Sequence, residues 1–226
     1  MLPWSDYFVG DYVPRSPATP NYMTGTAKTS FLFNQLAASS AGSGRKLILA
    51  VSLMGVIANP QVASLLVNGE PAALLYQPTS TNSFDTSFWI FDSEADDVVD
   101  VDVVTSVAVT DVVVDIWPYI GTGVAPLVST AGANIVDGST TTINLTAPAN
   151  SIVFASENNK VPNTFSRVFA LHKSYVSATA LTLSSPGGAS SSLSATLMLD
   201  RTTTSIFATG ADIYCQRLSA IAMSST

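Results

Sequence analysis

Residues 92–115 read DSEADDVVDVDVVTSVAVTDVVVD. Eight of these 24 residues are acidic, none is basic, and valine fills most of the remainder. Two readings compete: a cation-binding ribbon, or strands whose outer face is acidic. Side chains alternate between the two faces of a strand. In VVDVDVV this puts Val99, Val101 and Val103 on one side and Asp100 and Asp102 on the other. In DVVVDIW it puts Val112, Val114 and Ile116 opposite Asp111, Val113, Asp115 and Trp117. An uncharged valine run is prone to edge-to-edge pairing, and charges on the solvent face are the usual protection. The strand reading therefore makes Asp100, Asp102, Asp111 and Asp115 solvent-facing.

The acids that precede the first of these strands need their own account. Asp92, Glu94 and Asp96 have the spacing that opens an EF-hand loop, but its glycine position holds Asp97 and its closing glutamate position holds Val103. An EF-hand is excluded. Asp92, Glu94, Asp96 and Asp97 are the place to look for a looser cation site, and neither a metal nor any other cofactor is expected.

Of the 226 residues, 47% are hydrophobic and 11% charged, which excludes a disordered chain and leaves surfaces made largely of Ser, Thr, Asn, Gly and Ala. No run approaches the ~20 apolar residues that span a bilayer, so no membrane association is expected. The start, MLPWSDYFVGDY, lacks the charged and apolar regions of a secretory signal. Cys215, the single cysteine, excludes an intramolecular disulfide framework and a Cys-based zinc site, and reads as a packed strand residue in a chain folding in a reducing compartment. Charge is segregated: residues 47–159 hold twelve acids and no base, and all nine bases lie before or after them. Without a basic patch, nucleic acid is not an expected partner.

Residues 1–44 differ from the rest. VPRSPATPNY carries three prolines and favours an extended path. The surrounding rings, Trp4, Tyr7, Phe8, Tyr12 and Tyr22 among them, bury large apolar area when given a surface. The segment reads as an arm that docks on another surface, with a short helix near Phe31–Ala38. Its removal through residue 36 is expected to leave the following domain folded. From residue 45 onward the signals are strands and turns. Leu47–Val56 is a continuous apolar strand, and SLLVNGEPAALLY is a hairpin around Asn68-Gly69, the pair that best tolerates a type I′ turn. The series continues at 86–92, 98–104, 107–109, 112–119, 140–146, 151–156, 165–172, 180–184, 193–199, 204–208 and 213–223, with TAGAN and GTGVAP among the connectors. About a dozen short strands without αβ alternation predict an all-β fold, an antiparallel β-sandwich of jelly-roll type over residues 45–226, with a subdivision near 121–140 as the alternative.

No catalytic constellation stands out. His172 is the single histidine, no G-x-S-x-G elbow accompanies it, and alternation within FALHKSY suffices to place it. AGSGRKLILAV lacks the order of a phosphate loop and runs into a strand. Trp89 and Trp117 lie in apolar strands and read as core, although exposed they would suit sugar stacking. The chain is not expected to be an enzyme.

The order of pieces from 45 to 121 resembles β-sandwich modules of structural proteins in tailed bacteriophages. GRKLILAVSL is followed by VASLLVNGEPAALLYQ, TSFWIFD, VVDVDVV and VVVDIWPYIG, and the matching residues are Leu65, Val67, Gly69, Leu74, Trp89 and Phe91. The match covers about a third of the chain. The resemblance implies a virion location, as a head-decoration, head-fibre or tail subunit, with other virion proteins as partners. A homo-oligomer is expected, with a trimer as its expected symmetry, and arm residues Trp4, Tyr7, Phe8, Tyr12 and Tyr22 are the expected contacts. The alternative is a carbohydrate- or receptor-binding lectin-like module.

Overall fold

The run KLILAVSL has no polar side, so it is stable only where both of its faces are covered. A computed structural model describes residues 21–38, 45–54, 59–78, 84–93, 96–120, 127–134, 141–143, 152–159, 166–173, 176–184, 191–198, 206–210 and 215–223. There the run forms strand β2 (Arg45–Met54), and both alternate sets, Leu47–Leu53 and Ile48–Ser52, are buried. All regular structure among the described residues is β, and every strand pairing is antiparallel.

The largest sheet has seven strands. Its spine is β7 (Val98–Ile120), which β1 (Asn21–Ala37) follows along one edge from Asn21↔Val114 to Ala37↔Val98. The other edge is shared end to end. There β2 pairs with residues 111–120, and β3 (Val62–Val67) pairs with residues 101–105. Beyond β2 lies β6 (Phe84–Asp92), and beyond β6 lies β5 (Ala73–Tyr76). Beyond β3 lies β4 (Glu70–Pro71). Strands β4 and β5 stand at opposite ends of this order, yet Ala72 alone separates them in the chain. A flat sheet cannot satisfy both conditions. This one curls until it is nearly barrel-shaped.

Its interior is the alternation of the valine segment made solid. Val99, Val101, Val103, Val112, Val114 and Ile116 of β7 meet Leu47, Leu49, Val51 and Leu53 of β2 in one core. Strand β1 adds Phe31, Phe33 and Leu36 to it. The expected helix near Phe31–Ala38 is therefore a strand, and cutting through residue 36 would remove three core side chains.

Strand β7 is one element where three were expected. Thr105 and Ser106 do not end it; they bend it. Between Val104 and Val109 β7 advances five residues while β1 advances two, from Ser30 to Lys28. Such surplus residues form a bulge, which bends a strand and increases its twist. The Thr105 hydroxyl donates to the carbonyl of Val107 at 2.7 Å, and the Ser106 amide donates to the carbonyl of Gln61 at 2.8 Å.

A second sheet has the order β13-β10-β15-β8, built from β8 (Leu127–Asn134), β10 (Ile152–Asn159), β13 (Ser191–Met198) and β15 (Cys215–Met223). The third, β12-β11-β14-β9, comprises β9 (Thr141–Ile143), β11 (Ser166–Lys173), β12 (Val176–Ser184) and β14 (Ile206–Gly210). The TAGAN segment, expected as a connector, lies in β8.

The second sheet covers the outside of the first. Phe154 of β10 and Ile221 and Met223 of β15 pack with Ile48, Ala50, Phe88 and Trp117. The Trp117 and Phe154 rings sit 5.6 Å apart at 56°. This corrects the solvent-facing assignment of the later acids. Asp111, Val113, Asp115 and Trp117 do share a face, but that face is covered, and Asp115 is 1% exposed. Asp100 and Asp102 lie on the stretch of β7 paired with β3, where Asp100 is exposed and Asp102 half-buried.

Candidate functional site

The hairpin turn organises the acids. Asn68 (φ 52°) and Gly69 (φ 83°) are both in the left-handed region, and Val67 pairs with Glu70 across them, as a two-residue type I′ turn requires. The Asn68 side chain then ties the turn to β7. Its Nδ2 donates to Asp96 Oδ2 at 2.9 Å, and its Oδ1 accepts the amide of Asp100 at 2.8 Å. The amide of Asn68 donates to the carbonyl of Asp100 at 2.8 Å. On the opposite edge of β7, Asp100 Oδ1 accepts the amide of Gln35, and the carbonyl of Asp97 accepts the amide of Ala38, each at 2.8 Å. Asp96, Asp97 and Asp100 thus fasten β1 and the β3–β4 turn to the start of β7.

The loop acids singled out as the place to look for a cation, where none is expected, have other partners. Asp92, at the end of β6, pairs with Lys46 of β2. Asp96 is engaged by Asn68, and Asp97 uses its carbonyl. Glu94 lies outside the described residues. Among the described residues no three His, Cys, Asp or Glu side chains converge as a metal site would need.

Of the expected arm contacts, Trp4, Tyr7, Phe8 and Tyr12 lie outside the described residues. Tyr22 lies on β1, paired with Val113. His172 is on β11 opposite Phe207, and Cys215 is on β15 opposite Asn159. Trp89 is 6% exposed and donates its indole N–H to Ser87 Oγ at 2.8 Å, while Trp117 is 4% exposed. Neither ring offers a face to a sugar. Among the described residues no helix is long and apolar enough to cross a membrane.

What the fold does present is a row across four strands. Leu32 of β1 pairs with Asp102 of β7, Asp102 with Leu66 of β3, and Leu66 with Pro71 of β4. The adjacent row on the same face is Ser30, Val104 and Ser64. Leu32 is 51% exposed, and Ser30, Ser64 and Pro71 are exposed as well. Within this mixed row Asp102 Oδ1 is closed to solvent and accepts no hydrogen bond among the described residues. The segments that supply the row are far apart in sequence, and only the pairing of β1, β7 and β3 brings them together. No family model matches the chain, and no curated protein and no solved structure shows significant similarity to it.

Proposed function

We propose that the chain is a structural subunit of a virus particle, of the kind that decorates the head or joins the tail of a tailed bacteriophage, and that it works by binding rather than by catalysis. Its partners are copies of itself and other virion proteins, in a symmetric assembly for which we take a trimer. In this reading the antiparallel sheets make a sandwich of jelly-roll type. The aromatic, proline-rich segment 1–20, with Trp4, Tyr7, Phe8 and Tyr12, is an arm that docks on a neighbour.

The observation that carries this reading is the place of β1. It is paired with β7 alone among the described strands and lies at the rim of the sheet, so the segment before Asn21 joins the fold at its margin. A segment rich in rings gains stability where a neighbouring surface takes those rings out of water. The surface poor in charge agrees with burial against other subunits.

The experiment is a deletion of residues 1–20, which keeps all of β1. The truncated chain is expected to fold and to be lost from particles. Normal incorporation of the truncated chain would sink the proposal.

A further inference from the structure

We infer that Asn68 is a latent deamidation site. The two hydrogen bonds that tie its side chain to β7 keep the amide from reacting with the Gly69 nitrogen, and its conversion to a carboxylate releases the turn irreversibly. The inference concerns the chemistry of the hairpin and stands apart from the particle reading.

The reaction needs water alone. The Gly69 backbone nitrogen gives up its proton to the solvent and attacks Asn68 Cγ. The Cγ–Nδ2 bond then breaks, and Nδ2 takes a proton from the solvent and leaves as ammonia. Water opens the resulting succinimide at either carbonyl, giving aspartate, or isoaspartate with the chain running through Cγ. Nothing is oxidised or reduced. Asparagine is among the thermolabile residues, and the bulk of the residue that follows it hinders the attack. Asn68-Gly69 is the single Asn-Gly pair in the chain, so hindrance is least there. Both residues are exposed, and even a Cβ on Gly69 would meet nothing within 4 Å, so solvent reaches the turn freely.

The position of the amide holds the reaction back. Nδ2 donates to Asp96 Oδ2 at 2.9 Å while Oδ1 accepts the Asp100 amide at 2.8 Å. Both ends of the planar amide are therefore fixed toward β7. Turning Cγ to face the Gly69 nitrogen breaks both bonds, so the reaction runs through the small population in which the turn has opened locally.

The same contacts make the product incompatible with the closed turn. A carboxylate at position 68 has no N–H to give Asp96, and it sets a charged oxygen against Asp96 Oδ2, where like charges repel. Residues 47–159, which supply the turn and these acids, hold no base to offset the added charge. Isoaspartate also lengthens the backbone, which the two-residue turn between Val67 and Glu70 cannot absorb. Opening permits the conversion, and conversion prevents reclosure.

The test is incubation of the full chain in mildly alkaline buffer, with deamidation at residue 68 followed by peptide mass mapping. The folded parent is expected to convert at least about tenfold more slowly than the same chain unfolded in urea. Asp96 is exposed, so the fold tolerates its loss, and Asp96→Ala is expected to raise the folded-state rate by roughly five- to tenfold. Val51→Ala weakens the main core at the other stretch of β7, opposite Val114, and is expected to leave the rate at the parent's. Circular dichroism confirms that both variants are folded. Asn68→Asp, the product made directly, is expected to unfold at a lower temperature than Asn68→Gly, by a gap that narrows at high salt. A folded parent converting as fast as the unfolded chain would overturn the inference, as would Asp96→Ala converting no faster than the parent. Equal acceleration by Val51→Ala would also overturn it, because protection would then come from the fold as a whole. An Asn68→Asp variant as stable as Asn68→Gly would overturn the irreversible release.

Discussion

Asp100 Oδ1 accepts the backbone N–H of Gln35 at 2.8 Å, and Gln35 holds a left-handed conformation with φ 58°. The bond spans 65 residues and lies at a register shift, where β1 departs from regular pairing with β7. A left-handed backbone costs a residue with a Cβ roughly 1–2 kcal/mol. The carboxylate offsets part of that by accepting an amide that the bulge removes from the ladder.

Two substitutions separate these effects. Gln35→Gly relieves the backbone and keeps the amide, so stability should hold or rise by up to about 1 kcal/mol. Asp100→Ala leaves the amide to water and should cost about 0.5–1.5 kcal/mol. Urea midpoints of the two variants and the parent decide this. A loss for Gln35→Gly as large as that for Asp100→Ala would mean that the Gln35 side chain matters, not its backbone conformation.

The hairpin turn admits a similar separation. A Cβ on Gly69 would meet nothing within 4 Å, so Gly69→Ala should cost only its conformational strain, about 1 kcal/mol. Asn68 contributes both a tolerated left-handed backbone and two side-chain hydrogen bonds, to Asp96 and to the Asp100 amide. Asn68→Gly keeps the first and loses the second, and should cost about 1–2 kcal/mol. Thermal unfolding of both variants provides the check, and an Asn68→Gly variant as stable as the parent would show the latch to be idle.

Much of this architecture was legible locally. Period-two valines in β7, the apolar run of β2 and Asn68-Gly69 each specify their structure within a few residues. What lay beyond reach depends on what covers a face. Asp100 and Asp115 stand in the same alternating pattern, yet one is exposed and the other buried, because β10 and β15 cover only the second stretch. Strand β1 was hidden for another reason: its three register shifts break the alternation after Phe33, so Phe31, Phe33 and Leu36 do not read as one face. The row from Leu32 to Pro71 joins distant segments and leaves no mark in any of them.

The loop acids yield a prediction about metal. Asp92 and Asp96 are engaged by Lys46 and Asn68, and among the described residues no three acidic side chains converge as a calcium site needs. Millimolar calcium, or a chelator, should leave the unfolding temperature unchanged. Lys46→Ala should cost less than about 1 kcal/mol, since Asp92 is 76% exposed and surface pairs are weak. A rise of several degrees on adding calcium would contradict this assignment.

Phe31 tests whether β1 belongs to the folding unit. Its ring is 1% exposed in the main core, so Phe31→Ala should cost about 3–5 kcal/mol. Removal of residues 1–20 touches no described strand and should change stability little, whereas removal through residue 37 should abolish cooperative unfolding. A stable chain lacking residues 1–37 would show that the sheet closes without β1.

Trp117 reports on the contact between the first two sheets. Its indole is buried against Phe154, but its Nε1–H meets no acceptor among the described residues. Trp117→Ala leaves a large cavity between β7 and β10 and should cost about 3–5 kcal/mol. Trp117→Phe keeps a ring for Phe154 and removes the unsatisfied N–H, so the lost volume is partly offset and the cost should stay below about 1.5 kcal/mol. Denaturant titration followed by far-ultraviolet circular dichroism compares the two without relying on the fluorophore they remove. Equal losses for alanine and phenylalanine would mean that the indole nitrogen has a partner, and that Trp117 holds the sheets together through a hydrogen bond rather than by packing.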